Sequence, residues 1–246
     1  MARATREPAP PGPSLWRVRL ATVGSRVILA VFGLTALALW DDLPEARQAQ
    51  AARTPDATVA DAAWTGDTQI ACTIMVADCL PVLLTNRQGS WVAAAHAGWR
   101  GLAGQGGVGV LEALLRRVQA LQWPGVAASK PSDVLAWLGP CIGPSAFEVG
   151  PEVRAAFCAD LPEAANCFHA AGQAKWLADL AGLARQRLGR LGVTEVHGND
   201  DTAPWCTVGN PDRFFSHRRD RVSGRLAACV WLEASSTSQQ ALNRAS

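Results

Sequence analysis

Cys79 and His96 flank two short apolar runs, residues 80–84 and 91–95, joined by the turn-forming stretch Asn86-Arg87-Gln88-Gly89-Ser90. A loop of residues 86–89 pairs Thr85 with Ser90 and, counted outward, sets Cys79 directly opposite His96. Residues opposed in this way have Cβ atoms about 4.5–5.5 Å apart. A thiolate and an imidazole at that spacing can share a zinc ion, at about 2.3 Å from sulfur and about 2.0–2.1 Å from nitrogen. They can equally act as nucleophile and base, or pack as a structural pair whose histidine is simply hydrogen-bonded. Asp78 precedes the cysteine, and Gly98-Trp99-Arg100-Gly101 follow the histidine, so a carboxylate and a guanidinium reach the same open end of the hairpin. The candidate catalytic residues are therefore Cys79, His96 and Asp78, with Cys79 and His96 as candidate metal ligands.

The elements that must position this pair are legible as periodicities. Ile70, Cys72, Ile74 and Val76 alternate with smaller or more polar residues, the period of a half-buried strand, which ends at Ala77-Asp78-Cys79. Val108, Leu111, Leu115 and Val118 have helical spacing and predict a helix that ends by Pro124. Residues 134–138 read as a strand, followed by the loop Gly139-Pro140-Cys141-Ile142-Gly143-Pro144. Leu177, Leu180, Ala184, Leu188 and Leu191 predict a helix over 175–191, with Gly192 as its stop. Strands are expected near 194–196 and over 226–232. Irregular alternation of this kind predicts an α+β fold, a mixed β-sheet core covered by helices.

Composition narrows the partner. With 49% hydrophobic and only 18% charged residues, the 246-residue chain can build a packed core, which excludes disorder throughout. Its 23 Lys+Arg against 21 Asp+Glu leave a formal charge of +2, far from the basic footprint of a nucleic-acid binder. A small-molecule partner is expected, with no nucleic acid. Seven cysteines, an odd number without a regular framework, point to a reducing, cytoplasmic setting. Residues 1–57 differ in texture, with prolines and arginines and then an uncharged run over 27–40. That run is shorter than the roughly 20 residues that cross a bilayer, although its basic flank and Ala36-Leu37-Ala38 imitate a secretory signal. The expected organisation is a divergent N-terminal segment over 1–57, in part disordered, a catalytic domain over 58–233 without membrane contact, and a flexible tail over 234–246.

Four motifs carry a family resemblance: Ala-Asp-Cys-Leu-Pro at 77–81, Ala-Ala-His-Ala-Gly-Trp-Arg-Gly at 94–101, Leu-Gly-Pro-Cys-Ile-Gly-Pro at 138–144 and Phe-Phe-Ser-His-Arg-Arg-Asp at 214–220. In their order and spacing the chain resembles the YfiH family, also called the laccase-domain or multicopper polyphenol oxidoreductase family. The resemblance implies a YfiH-like mixed α/β fold and a zinc-dependent site that phosphorolyses adenosine, inosine or methylthioadenosine, with adenosine deamination as a further activity. Family members also include a peptidoglycan editing factor. Cys79 and His96 match two of the three family zinc ligands. The third, a histidine in a Gln-Val-His-Gly motif before the cysteine, has no counterpart, because no histidine precedes His96. Val196-His197-Gly198 imitates that motif but falls late in the chain.

Arg100 and Arg219 are the candidate substrate-binding residues, since a guanidinium suits bidentate contact with phosphate or nucleoside oxygens; bonding loop carbonyls is the competing use. Arg218, Arg219 and Asp220 either line the cleft or form a surface ion-pair cluster, and His217 stands beside them. Cys141 lies in a loop whose amides could face an anion, Cys206 and Thr207 read as wall residues, and His169 as a surface histidine. The expected function is a zinc-dependent purine nucleoside phosphorylase acting on a purine nucleoside and phosphate. The alternatives are a cysteine-type amide hydrolase editing peptidoglycan precursors, and an inactive remnant or binding protein lacking the first zinc ligand. Copper oxidation is set aside, because multicopper oxidases need many histidines and the chain has four.

Overall fold

Two sheets share one layer of side chains between them. In the computed structural model, which describes residues 16–22, 25–33, 60–120 and 129–233, the first sheet orders β1 (Trp16–Thr22), β2 (Ser25–Gly33), β12 (Leu226–Leu232) and β4 (Ala71–Val76), all antiparallel. The second orders β11 (Glu195–Gly198), β7 (Val134–Leu138), β5 (Leu80–Asn86), β6 (Val92–Ala97) and β3 (Ala62–Thr65), parallel only between β11 and β7. A small third sheet joins β8 (Glu148–Val149), β10 (Lys175–Ala178) and β9 (Phe168–Gly172). This is the mixed-sheet α+β fold expected from the sequence. Residues 27–33 of the uncharged run belong to β2. Residues 34–40, the linker to 59, the helix end at Pro124 and the tail 234–246 lie outside the described residues.

Strand alternation assigns the layers. Leu83 of β5, Val92 and Ala94 of β6 and Trp137 of β7 pack against Cys72, Ile74 and Val76 of β4 and Ala228 and Val230 of β12. The opposite faces of the same strands, Leu80, Val82, Leu84, Ala93, Ala95, Ala97 and Leu138, pack against Leu111 and Leu115 of α2 (Val110–Ala120) and Leu183 and Leu188 of α4 (Leu180–Arg190). β5 is thus covered on both faces, which explains why it reads as a continuous apolar run rather than an alternating one. Among the described residues no helix is long and apolar enough to cross a membrane.

Two expectations need correction. The helix predicted over 175–191 is a strand followed by a shorter helix. Residues 175–178 form β10, entered through Gln173 and Ala174 at φ 48° and 57°. Asp179 then starts α4 as its N-cap, its Oδ1 accepting from the Gly182 N–H at 2.8 Å. The stop is as predicted, with Gly192 at φ 83°. The hairpin register also differs: Thr85 pairs with Val92, not Ser90, and His96 faces Pro81. The cause is Asn86, whose Oδ1 accepts from the Ser90 N–H at 2.8 Å and whose Nδ2 donates to Ser90 Oγ at 2.7 Å, drawing residues 87–91 into the loop.

Candidate functional site

The register shift places Cys79 across from Gly98, diagonal to His96. A shift of two residues preserves the face each side chain takes, because the side-chain period of a strand is two. Cys79 and His96 therefore both point toward the intersheet layer, at the open end of the hairpin. The neighbouring Cys79 thiol is the first cause that raises the His96 imidazole to about 9; burial opposes it, and the Asp61 carboxylate adds to it. Gly98 makes the approach possible. A Cβ there would stand 3.0 Å from Cys79 Sγ and 3.7 Å from His96 Cε1.

His96 is held from the other side by Asp61, at the start of β3. The His96 N–H donates to the Asp61 carbonyl at 2.7 Å, and His96 Nδ1 lies 3.0 Å from Asp61 Oδ1. A carboxylate on Nδ1 fixes the ring and directs Nε2 outward, the arrangement that presents a histidine to a metal. The soft thiol and the imidazole, with a cradle that a single Cβ would fill, suit two positions of a zinc site. Among the described residues no group of three or more His, Cys, Asp or Glu side chains can hold a metal. His197 does not join the pair: it is exposed on β11, the edge strand separated from β5 by β7.

Asp78 turns the chain so that the thiol faces the cleft. Its φ is 89°, a conformation that costs a non-glycine residue about 1–3 kcal/mol and persists only where neighbours enforce it. The enforcement is visible. Its carbonyl accepts from the Ile142 N–H at 2.9 Å, Oδ1 from Thr207 Oγ1 at 2.6 Å and Oδ2 from the Arg218 N–H at 2.7 Å. Asp78, 9% exposed, thereby ties the Ile142 and Thr207 loops and the Arg218 helix to the hairpin end, two of the three through its carboxylate. The Gly/Pro loop fits this knot through close approaches: a Cβ on Gly139 would meet Pro81 Cγ at 2.6 Å, and one on Gly143 would meet Cys206 Cβ at 2.9 Å. Cys141 is fully buried, and burial raises its thiol well above the ordinary range, so it is not a reactive group.

The four motifs are distributed unevenly around the resulting cleft. Its walls are Ala77, Asp78 and Cys79, then Trp99, Ile142, Phe147 and Leu180, and a basic end of His217, Arg218 and Arg221, enclosing about 180 Å³. Of the two substrate-binding candidates, neither lines it. Arg100, on α1 (Trp99–Ala103), stacks its guanidinium on the Trp99 ring at 4.4 Å. Arg219, on α5 (His217–Asp220), binds Asp220 through Nε and one terminal nitrogen, both at 2.7 Å, and donates to the carbonyls of Thr207, Val208 and Phe214. Its fork is filled by the protein. Sequence reasoning missed Asp61, Phe147 and Arg221, and assigned no role to Trp99; Asp61 reaches His96 across 35 positions of chain, and no spacing rule reports that.

Comparison with known proteins agrees with this fold. The profile of the family described as multi-copper polyphenol oxidoreductase laccase matches residues 32–233. The chain is 50% identical over 175 residues to a purine nucleoside phosphorylase of Pseudomonas aeruginosa and 47% identical over 173 residues to the purine nucleoside phosphorylase YfiH of Escherichia coli. These alignments cover 71% and 70% of the chain but 65% and 64% of the relatives, so the chain spans less than two thirds of their length. A crystal structure of the Neisseria meningitidis protein NMB0706 superposes with a TM-score of 0.69 at 35% identity, over 89% of this chain and 99% of that one.

Proposed function

The chain belongs to the multi-copper polyphenol oxidoreductase laccase family, and on that footing we propose that the Cys79–His96 cleft is the site of a zinc-dependent purine nucleoside phosphorylase. One observation carries the reading: Cys79, with His96 beside it across Gly98, lines a cleft whose walls also hold the aromatic rings of Trp99 and Phe147 and the arginines Arg218 and Arg221. The apolar walls, Trp99 and Phe147, suit a flat base, and the basic end suits an oxyanion. The relatives' names support the substrate class.

In this reading Cys79 and His96 hold zinc, which when bound supplies a Lewis acid for a substrate oxygen. Asp61 orients His96 through Nδ1 and leaves Nε2 toward the metal. Asp78, whose oxygens already accept two hydrogen bonds, positions Cys79 rather than carrying the proton itself. Trp99, its ring covered by Arg100, forms one wall of the base slot. The free thiols of all seven cysteines suit a reducing, cytoplasmic setting. Adenosine deamination would use the same slot.

A second reading rests on the closeness of Cys79 and His96, both of which crowd the Cβ position of Gly98: without metal, the pair is a nucleophile with its base, as in a cysteine-type amide hydrolase. Release of hypoxanthine from inosine, followed with and without phosphate, EDTA and iodoacetamide, separates the readings. The phosphorylase reading expects activity that needs phosphate, falls with EDTA and returns with zinc. Activity on amide bonds that survives EDTA and dies on alkylation supports the hydrolase. Absence of both, in a chain that also binds no zinc, leaves a remnant that lacks the first ligand.

A further inference from the structure

The cleft contains a residue that the four motifs leave out. α5 ends at Asp220, and the Arg221 N–H closes it by donating to the His217 carbonyl at 2.9 Å. The next N–H, of Val222, donates back to the Asp220 carbonyl at 2.7 Å, so Arg221 is the centre of a three-residue turn with φ 63° and ψ −59°. These are the angles of the γ-turn form that is rare and strained for an L residue. Glycine takes positive φ freely. The chain nevertheless places arginine here.

Arg221 is exposed and lines the cleft together with Cys79, Trp99 and Phe147. Its neighbours' cations are engaged elsewhere: Arg219 with Asp220 and three carbonyls, and Arg218 with the Glu148 carbonyl at 3.2 Å and the Phe147 ring. Among the described residues lining the cleft, Arg221 is the arginine whose guanidinium makes no hydrogen bond within the protein. Strain, access and an unused fork of donors therefore coincide in one residue.

We infer that Arg221 binds the phosphate co-substrate and so selects phosphate over water as the nucleophile. The inference rests on the phosphorylase reading of the cleft. In the step it serves, an oxygen of phosphate forms a bond to ribose C1′ as the bond from C1′ to the purine nitrogen breaks. The bonding pair leaves with the base, which takes up a proton, and the products are the free base and ribose 1-phosphate. Attack by water would give free ribose instead. A planar, bidentate cation at the basic end of the cleft favours the first outcome by raising phosphate occupancy.

Arg221→Gln removes the charge and keeps the strained backbone; Arg221→Gly removes both. In steady-state phosphorolysis, both variants raise the KM for phosphate tenfold or more, keep the KM for inosine within twofold, and yield a larger share of free ribose. Only Arg221→Gly also shifts the urea midpoint upward. An unchanged phosphate KM in both variants overturns the inference. If the parent performs no phosphorolysis, the functional reading fails separately, and binding of inorganic phosphate by calorimetry decides. Phosphate bound by the parent and lost in Arg221→Gln sustains the anion site, whereas equal binding in both, or none in the parent, overturns it.

Discussion

Gly98 stands where any side chain would push Cys79 away from His96, since a Cβ on it would lie 3.0 Å from the sulfur. Its own backbone, φ −69° and ψ 160°, is open to any residue, so the requirement is for space and not for conformation. Gly98→Ala is therefore expected to fold, with an overpacking cost of about 1–3 kcal/mol, while weakening metal binding and activity much more than stability. Urea unfolding and zinc titration of the same preparation check this. Unchanged zinc affinity would show that the thiol does not depend on the gap.

Asp61 acts only through His96. Removing a carboxylate that orients a ligating histidine typically weakens metal affinity by about 10–100-fold. Asp61→Ala is expected to fall in that range in a zinc competition titration, with Asp61→Asn closer to the parent because it can still meet Nδ1. Equal affinities in all three proteins would remove Asp61 from the site.

The helical layer that covers the second sheet has its own buried ion pair. Arg187 of α4 and Glu112 of α2, 5% and 7% exposed, meet at 2.6 Å, and Glu112 Oε2 also accepts from the Gly109 N–H. Breaking such a pair from one side costs about 3–5 kcal/mol, because the partner charge stays buried alone. Glu112→Ala is expected to lose that much in urea unfolding. A loss below about 1 kcal/mol would place the pair with weak surface bridges.

Stability also carries a pH signature away from the site. The Asp201 carboxyl is pushed from 3.8 up to about 7, first by burial and then by its hydrogen bond and proximity to Asp179. Between those two values the folded chain holds a proton that the unfolded chain has released, so the native state binds more protons and stability falls as pH rises. The contribution is complete below 3.8 and lost once pH passes about 7. Asp201→Asn, neutral throughout, should gain stability relative to the parent as pH climbs through that window. Parallel curves for the two proteins in urea unfolding across pH would contradict it.

The candidate pair and its strands were readable because both runs are apolar and end at residues of unusual chemistry. The strands over 134–138 and 226–232 stand at the predicted bounds, since both are apolar runs with a turn signal beside them. The register was not readable. It depends on the Asn86 side chain capping its own turn, and only the evenness of the two-residue error left Cys79 and His96 on one face. The error at 175–178 has a similar origin: Leu177, Leu180, Ala184 and Leu188 fit a helical stripe, but Asp179 caps the chain in the middle of it. Arg219 shows a third limit, because sequence reveals a guanidinium but not the carbonyls that fill its donors.

Whether Cys79 and His96 grip one metal is decided most directly by X-ray absorption at the zinc edge of the zinc-loaded protein. The account predicts one sulfur at about 2.3 Å and at least one imidazole nitrogen at about 2.0–2.1 Å, with the sulfur shell absent in Cys79→Ser and the imidazole signal reduced in His96→Ala. A zinc shell made of oxygen and nitrogen alone in the parent, unchanged by either substitution, would contradict it.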